Sequence, residues 1–363
     1  LTTPSIYRAG PHKLFFHPTR VLAGLEDRRT PPISLDIDLT TKCQLRCSNC
    51  TYAFLRSQSP KFLETSLAME ALDQAAAFGV TTVTLTGGGE SRLHKDIVMI
   101  VSRANELGLE VGLLTNGVGF TEEEAEQLLP NLLFVRFSLT SKLEQDNVKS
   151  AVRVRARDGL STGIGLSALV AGPDEAYFRR SMGWGGGVGA DFIQYKPMSL
   201  LDPGLMGRRY FEVEKLQAAE ALLQRLQQER EWGTQVIISR FTALLETTYA
   251  RCYGQQWSAV LGADGRLYVC CELKYKEHFA LGDLHKQTFE EIWTSDHRAQ
   301  VLGRLKPAHT CFPGCKMHEI NIVLAEMKEQ ATSREELIAA VNARHAELLQ
   351  MSNGQIPAGV NFV

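Results

Sequence analysis

The eight cysteines fall into two groups, and their spacing constrains the fold more than any other feature of the chain. Cys43, Cys47 and Cys50 lie within eight residues, Cys252, Cys270, Cys271, Cys311 and Cys315 follow much later, and residues 51–251 contain no thiol at all. Bunched cysteines far from any partner point to metal ligation rather than a disulfide framework. The fold must therefore present two separate ligand sets.

Between the two sets the sequence alternates short β-branched or apolar runs with amphipathic stretches, the pattern of parallel strands joined by helical crossovers. Six strands are predicted at 33–39, 81–85, 110–114, 132–139, 163–170 and 192–196, with a seventh at 234–239. Ile97, Ile100, Val101, Ala104 and Leu107 form one helical stripe that ends at Gly108, Thr121 and Glu124 have capping-box spacing, and a longer helix spans 212–230. The run Gly183-Trp-Gly-Gly-Gly-Val-Gly189 reads as a tight helix-to-strand connection, with phosphate cradling as the alternative.

Four thiolates saturate a 4Fe–4S cluster, one on each iron, so three close together leave one iron open to an outside chelator that offers an amine and a carboxylate. The motif Cys43-Gln-Leu-Arg-Cys47-Ser-Asn-Cys50 directly follows the first predicted strand. In spacing and in place it resembles the CxxxCxxC motif of the radical S-adenosylmethionine (SAM) superfamily. That resemblance implies a partial (β/α)6 TIM-type barrel over 33–240, a catalytic 4Fe–4S cluster held by the three cysteines plus SAM, and a 5′-deoxyadenosyl radical that takes a hydrogen atom from substrate. It further implies that Gly88, Gly89 and Glu90 of Thr86-Gly-Gly-Gly-Glu90 bind the methionine end of SAM, and that Asn116, after strand three, and Ser138, on strand four, contact it. Many members carry an aromatic residue just before the third cysteine to sit beside adenine; here Asn49 stands there, and Tyr52 is the candidate substitute. Lys196, Tyr195 and Arg136 are candidates for substrate contact because barrel active sites lie at strand C-terminal ends.

Beyond the barrel, Cys252, Cys270, Cys311 and Cys315 match a twitch or SPASM-like extension at 241–330, in which a β-hairpin turning at Gly262-Ala-Asp-Gly265 brings the first two thiols together. The resemblance implies one auxiliary 4Fe–4S cluster with all four thiolates supplied; spacing alone also permits a four-cysteine zinc site. Cys271 is left over, either as a hydrogen-atom donor, as a buried small residue, or as the ligand in place of Cys270. Residues 1–32 form an N-terminal extension. Residues 331–363 form a C-terminal helix and tail, with Ser333 and Glu336 at the helix start and Leu337, Val341 and Leu348 on its apolar side.

The reaction is less constrained than the initiator, because one fold hosts many chemistries. A closed auxiliary cluster suits electron acceptance, which favours dehydrogenation of a small polar molecule such as an aminosugar or amino acid. Epimerisation or isomerisation is the alternative, on a modified nucleobase or a peptide among other substrates, and a non-catalytic iron–sulfur or zinc scaffold is the reading from another class. About 32 residues precede strand one, which argues against a leader-peptide-binding domain. The 39 basic and 41 acidic residues nearly cancel, so no overall field draws the chain to nucleic acid. Lys149, Arg153, Arg155 and Arg157, with Arg179, Arg180, Arg208 and Arg209, leave a local phosphate-tracking surface as the weaker alternative. No apolar run reaches the roughly 20 residues of a membrane span, so a cytoplasmic protein is expected, supplied by a one-electron reductant such as flavodoxin or ferredoxin.

Overall fold

The computed structural model describes residues 10–140, 142–201, 208–210, 212–229, 231–239, 241, 247–311 and 315–362. The strands are β1 (Ser34–Asp38), β2 (Thr82–Thr86), β3 (Glu110–Thr115), β4 (Phe134–Ser138), β5 (Gly163–Val170), β6 (Phe192–Pro197), β7 (Ser199–Leu201), β8 (Arg208–Tyr210), β9 (Gln235–Ile238), β10 (Ser258–Leu261), β11 (Arg266–Tyr268) and β12 (Ala280–Asp283). The helices are α1 (Pro11–Leu14), α2 (Pro18–Leu25), α3 (Thr65–Phe78), α4 (Ile97–Glu106), α5 (Glu122–Leu128), α6 (Gln145–Arg157), α7 (Glu175–Val188), α8 (Val213–Glu229), α9 (Phe289–Thr294), α10 (Asp296–Gly303), α11 (Pro307–Thr310), α12 (His318–Gln330) and α13 (Arg334–Met351).

Strands β1 to β6 run parallel in sequence order, each reached through a helical crossover, and β9 adds a seventh parallel strand beside β6. These are the parallel strands and crossovers expected from the alternating pattern, in the partial barrel that the resemblance implies. Leu35, Ile37, Val83, Leu85, Val111, Leu113, Val135, Phe137, Ile164 and Leu166 are buried with the inward faces of α3 to α8. The Thr121–Glu124 capping box forms and starts α5.

The far edge of the sheet departs from expectation. Strand β10 pairs in parallel with β1, with Ser34 opposite Ser258, and the hairpin β10–β11 and strand β12 continue the same sheet. The segment carrying the second cysteine set is therefore built onto the barrel. The hairpin turns where predicted: Gly265 takes φ +75°, and its N–H donates to the Gly262 carbonyl at 3.0 Å.

A second apolar cluster joins α1, α2, α12 and α13 through Leu14, Val21, Leu25, Trp257, Ile320, Leu324, Leu337 and Val341. The apolar side of the C-terminal helix is thus spent on this body, with Ser333 accepting from the Glu336 N–H at its start. The tail then crosses the N-terminal end of the barrel. Asn361 Nδ2 donates to Glu110 at 3.0 Å, Thr82 Oγ1 donates to the Asn361 carbonyl at 3.2 Å, and Phe362 meets Phe134 edge-on, so three strand starts are tied to it.

The glycine run is corrected by the structure: Gly183, Gly185, Gly186 and Gly187 lie inside α7, and only Gly189 ends it, left-handed at φ +81°. A Cβ on Gly186 would stand 2.0 Å from the Trp232 carbonyl oxygen, so the glycine lets helix backbone pack on the turn that leads into β9. The basic run is likewise absorbed locally. Arg153 pairs with Glu122, Arg155 with Asp191, Arg157 with Glu126 and Asp158, and Arg179 with Glu175 and Glu229, which leaves those guanidinium groups neutralised by neighbouring helices. The side chains of Arg208 and Arg209 lie outside the described ones. No helix among the described residues is long and apolar enough to cross a membrane.

Candidate active site

The loop after β1 is closed at its neck. Thr40 bridges Phe62, the Thr41 N–H donates to the Lys61 carbonyl at 3.0 Å, and the Lys61 N–H donates back to Thr41 Oγ1 at 2.8 Å. Everything between, including Cys43, Cys47 and Cys50, projects from the C-terminal mouth of the barrel. Cys43 is exposed and the other two are half-buried, none in a disulfide. Two donors converge on Cys43 Sγ, the Leu45 N–H at 3.4 Å and Asn116 Nδ2 at 3.8 Å.

The glycines after β2 press on this loop. A Cβ on Gly89 would lie 2.1 Å from the Lys42 carbonyl oxygen, and the Glu90 N–H donates to that oxygen at 2.8 Å. No other residue fits there. Glu90 itself turns inward, 3% exposed, and its carboxylate accepts from Thr115 Oγ1 and from the Asn116 N–H, both at 2.7 Å. Burial raises its pKa above the usual carboxylate value, an effect opposed by those hydrogen bonds and by Arg92. Glu90 therefore braces the ends of β2 and β3 against each other, while the backbone at 87–89 faces the loop. The Gly88 N–H is already given to Asp38 at 2.9 Å.

Several predicted contacts land elsewhere. Tyr195 is fully buried on the helix side of the sheet, its hydroxyl 2.6 Å from Ser181 Oγ and its ring edge-on to Phe178 of α7, so it cannot meet a substrate at the barrel mouth. Period-2 alternation puts Gln194 and Lys196 on the opposite face. Arg136 donates to Gln194 at 2.7 Å and lies near enough to buried Lys13 to depress its pKa, which places it towards the tail-covered end of the barrel. Lys196 and Ser138 sit at the C-terminal ends of β6 and β4, Ser138 in register with Ser167. Asn49 Nδ2 contacts Met198 Sδ at 3.1 Å. Tyr52 is engaged by the later cysteine segment: its hydroxyl donates to the Cys271 carbonyl at 3.1 Å, and Lys274 Nζ lies 4.2 Å from its ring centre.

That segment gathers the second thiol set. Cys252, Cys270, Cys311 and Cys315 are all half-buried; burial raises every one of the four pKa values, and the charges of neighbouring thiols push Cys270, Cys311 and Cys315 further up. Such a gathering is costly unless bound metal takes up the thiolate charge. Donors are in place for it: Met317 N–H to Cys315 Sγ at 3.4 Å and Asn321 Nδ2 to Cys252 Sγ at 3.6 Å. Among the described residues no three Cys, His, Asp or Glu side chains converge on a point that one metal ion could occupy. A four-iron cluster asks for something different, one thiolate on each of four irons. Cys271 lies beside Glu272, Lys316, Asp36 and Lys274, close enough to Cys270 and Cys315 for its charge to raise their pKa values, and burial pushes its own thiol to about 11.

The radical SAM superfamily model matches residues 37–156, and a model described as an iron–sulfur cluster-binding domain, SPASM, matches 252–316. The chain belongs to the radical SAM superfamily. A radical SAM domain followed by a SPASM domain brings with it a catalytic 4Fe–4S cluster, SAM and auxiliary iron–sulfur, and the two thiol sets just described fit those groups. Among curated relatives, the PqqA peptide cyclase of Rhizobium meliloti (strain 1021) is 35% identical over 101 residues, covering 28% of this chain and 27% of that one. The PqqA peptide cyclase of Methylorubrum extorquens (strain PA1) is 39% identical over 88 residues, 24% and 23% of the two chains. The matched stretch thus spans about a quarter of each relative's length. Of solved structures, Streptococcus suis SuiB bound to S-adenosylmethionine aligns with a TM-score of 0.60 at 15% identity over 74% of this chain and 67% of that one. The structure of anSMEcpe with bound AdoMet aligns at 0.56 and 16% identity over 91% and 97%. Both support the shared fold.

Asp36, Asp38, Lys274, Tyr275, Lys316 and Asn321 escaped the sequence reading. Their only sequence signal is the acidic pair at alternate positions of the first strand, and a charged pair on a predicted inner strand asks for partners. The partners lie more than two hundred residues later in the chain.

Proposed function

We propose that the chain is a radical SAM enzyme that oxidises a peptide substrate. The observation that carries the reading is the joining of the two thiol sets: a three-cysteine loop at the barrel mouth and a four-cysteine set built onto the same sheet, in contact through Tyr52 and Cys271. When bound, the reduced catalytic cluster and SAM supply hydrogen-atom abstraction, and auxiliary iron–sulfur offers a destination for the substrate's second electron.

The chain's own residues hold and orient. Cys43, Cys47 and Cys50 ligate the catalytic cluster, with Asn116 steadying Cys43 by its side-chain amide. Gly88 and Gly89, lacking Cβ atoms, let this backbone pack against the three-cysteine loop where the methionine end of SAM is held, and Glu90 keeps it in place. Cys252, Cys270, Cys311 and Cys315 hold the auxiliary cluster, and their complete thiolate set favours electron transfer over substrate chelation. On this reading residues 33–240 form the barrel, 241–330 the auxiliary segment and 331–363 the covering helix and tail.

Peptide is favoured over the small polar molecule expected from the sequence because the curated relatives matched over the cluster region are peptide cyclases. Dehydrogenation of a small aminosugar remains the second reading, supported by the same electron-accepting arrangement. Anaerobically reconstituted protein should bind about eight irons, release 5′-deoxyadenosine with SAM and dithionite, and remove two hydrogens from a peptide such as PqqA, read by mass spectrometry. Release of 5′-deoxyadenosine with loss of hydrogens only from an aminosugar would select the second reading. No 5′-deoxyadenosine above the protein-free background would sink both.

A further inference from the structure

Asn321 is a polar residue where the packing is apolar: it sits in the first turn of α12 beside Ile320 and Leu324 and is 1% exposed. A buried amide is tolerated when each of its groups is used. Here Oδ1 accepts from the Tyr253 N–H at 2.7 Å and from the Gly254 N–H at 2.9 Å. Two backbone donors on one atom fix which end of the amide is oxygen, since the NH2 end cannot accept. Nδ2 is thereby turned to Cys252 Sγ at 3.6 Å, close to Tyr249, whose hydroxyl lies 3.0 Å from His318 Nδ1.

We propose that Asn321 is a positioning residue that sets the reduction potential of the auxiliary cluster, by locking the 252–254 turn and holding an amide donor on the Cys252 sulfur. The proposal rests on the reading that Cys252 is an auxiliary-cluster ligand. Hydrogen bonds to cluster sulfurs stabilise the more negative, reduced form and raise the potential. A raised potential is what an acceptor of substrate electrons requires, so Asn321 favours electron flow from substrate to auxiliary cluster.

Asn321→Asp is the sharpest variant: it keeps an oxygen for the two backbone donors and replaces the sulfur-facing donor by a carboxylate oxygen. Potentiometric titration of the reconstituted full chain, followed by electron paramagnetic resonance, should show the auxiliary signal at a more negative potential than wild type, with iron content retained. An unchanged potential with full iron content overturns the proposal. Should Asn321→Asp not hold its iron, Asn321→Ser keeps a shorter acceptor for the turn while withdrawing the donor, and it too should shift the potential downward. Loss of iron from both variants with the circular dichroism of wild type would make Asn321 a brace of the turn alone, and would equally overturn it. Cys252→Ser separates this from the underlying reading: if the auxiliary signal survives that substitution unaltered, Cys252 is no ligand, and the ligand assignment fails rather than the role of Asn321.

Discussion

Lys274 Nζ lies 2.7 Å from the Asp38 carboxylate, with side-chain exposures of 1% and 0%. The same carboxylate accepts from the Tyr275 hydroxyl at 2.8 Å and from the Gly88 N–H at 2.9 Å. One acidic residue at the end of β1 therefore ties the glycine loop to the segment that follows Cys270 and Cys271. Removing one partner of a buried pair strands the other charge, at a cost of about 3–5 kcal/mol. Lys274→Met should lower the unfolding free energy by that order in denaturant titrations. The double variant Asp38→Asn/Lys274→Met should lose clearly less than the two single losses added together. Additive losses in this cycle would mean that the pair is not coupled.

The three-cysteine loop and the four-cysteine set should be separable by chemistry. Cys43→Ala, Cys47→Ala and Cys50→Ala should each lose about four irons and all SAM cleavage, while the auxiliary signal survives. Iron quantification with an assay for 5′-deoxyadenosine checks this. Cleavage persisting in any one of them would remove that cysteine from the catalytic set.

Helix α7 carries glycine where two different reasons apply. Gly183 and Gly187 have open space where a Cβ would stand, so Gly187→Ala should stabilise the fold by about 1 kcal/mol through helix propensity. Gly186 has the Trp232 carbonyl oxygen at 2.0 Å from that position, and Gly186→Ala should destabilise it. Thermal melts that moved in the same direction for both variants would contradict the packing described here.

The sequence was most legible where the signal is local. The cysteine motif, the hairpin turn at 262–265, the cap of α5 and the apolar stripe of α13 each rest on residues a few positions apart, and each appears in the structure. The pairing of β10 with β1 joins residues more than two hundred positions apart, and both strands are fully buried; the alternation of polar and apolar residues in β1 marks a strand but does not name its neighbour. Tyr195 was misplaced for a related reason: β6 is largely buried on both faces, and the pattern does not say which face meets the helices. The glycines of α7 read as a helix end because glycine disfavours helix, and tertiary contact overrides that preference. The buried partners of Asp36 and Asp38 were invisible because no rule links Lys274 or Lys316 to a strand at the other end of the chain.

Lys13 offers a test of how the N-terminal helices and the tail close the lower end of the barrel. It is 2% exposed, and its Nζ donates to the Gly359 carbonyl at 2.9 Å. Burial is the largest cause that lowers its pKa from the ordinary 10.5 to about 7; Glu110 opposes the shift and Arg136 adds to it. The sign follows from proton binding. Between about pH 7 and 10.5 the unfolded chain holds a proton on Lys13 that the folded chain has released, so stability contributed by this group rises with pH through that window. Below it both states are protonated and the full cost of burying the ammonium is present. One proton changes stability by at most about 1.4 kcal/mol per pH unit. Denaturant titrations at pH 7, 8 and 9 should show wild type gaining stability relative to Lys13→Met as the pH rises. Comparison with the variant cancels the thiols and other groups that titrate in the same range. Parallel pH profiles for the two proteins would place the Lys13 ammonium in a site where charge is tolerated, and the tail would then be held by Glu110, Asn361 and Phe362 without help from it.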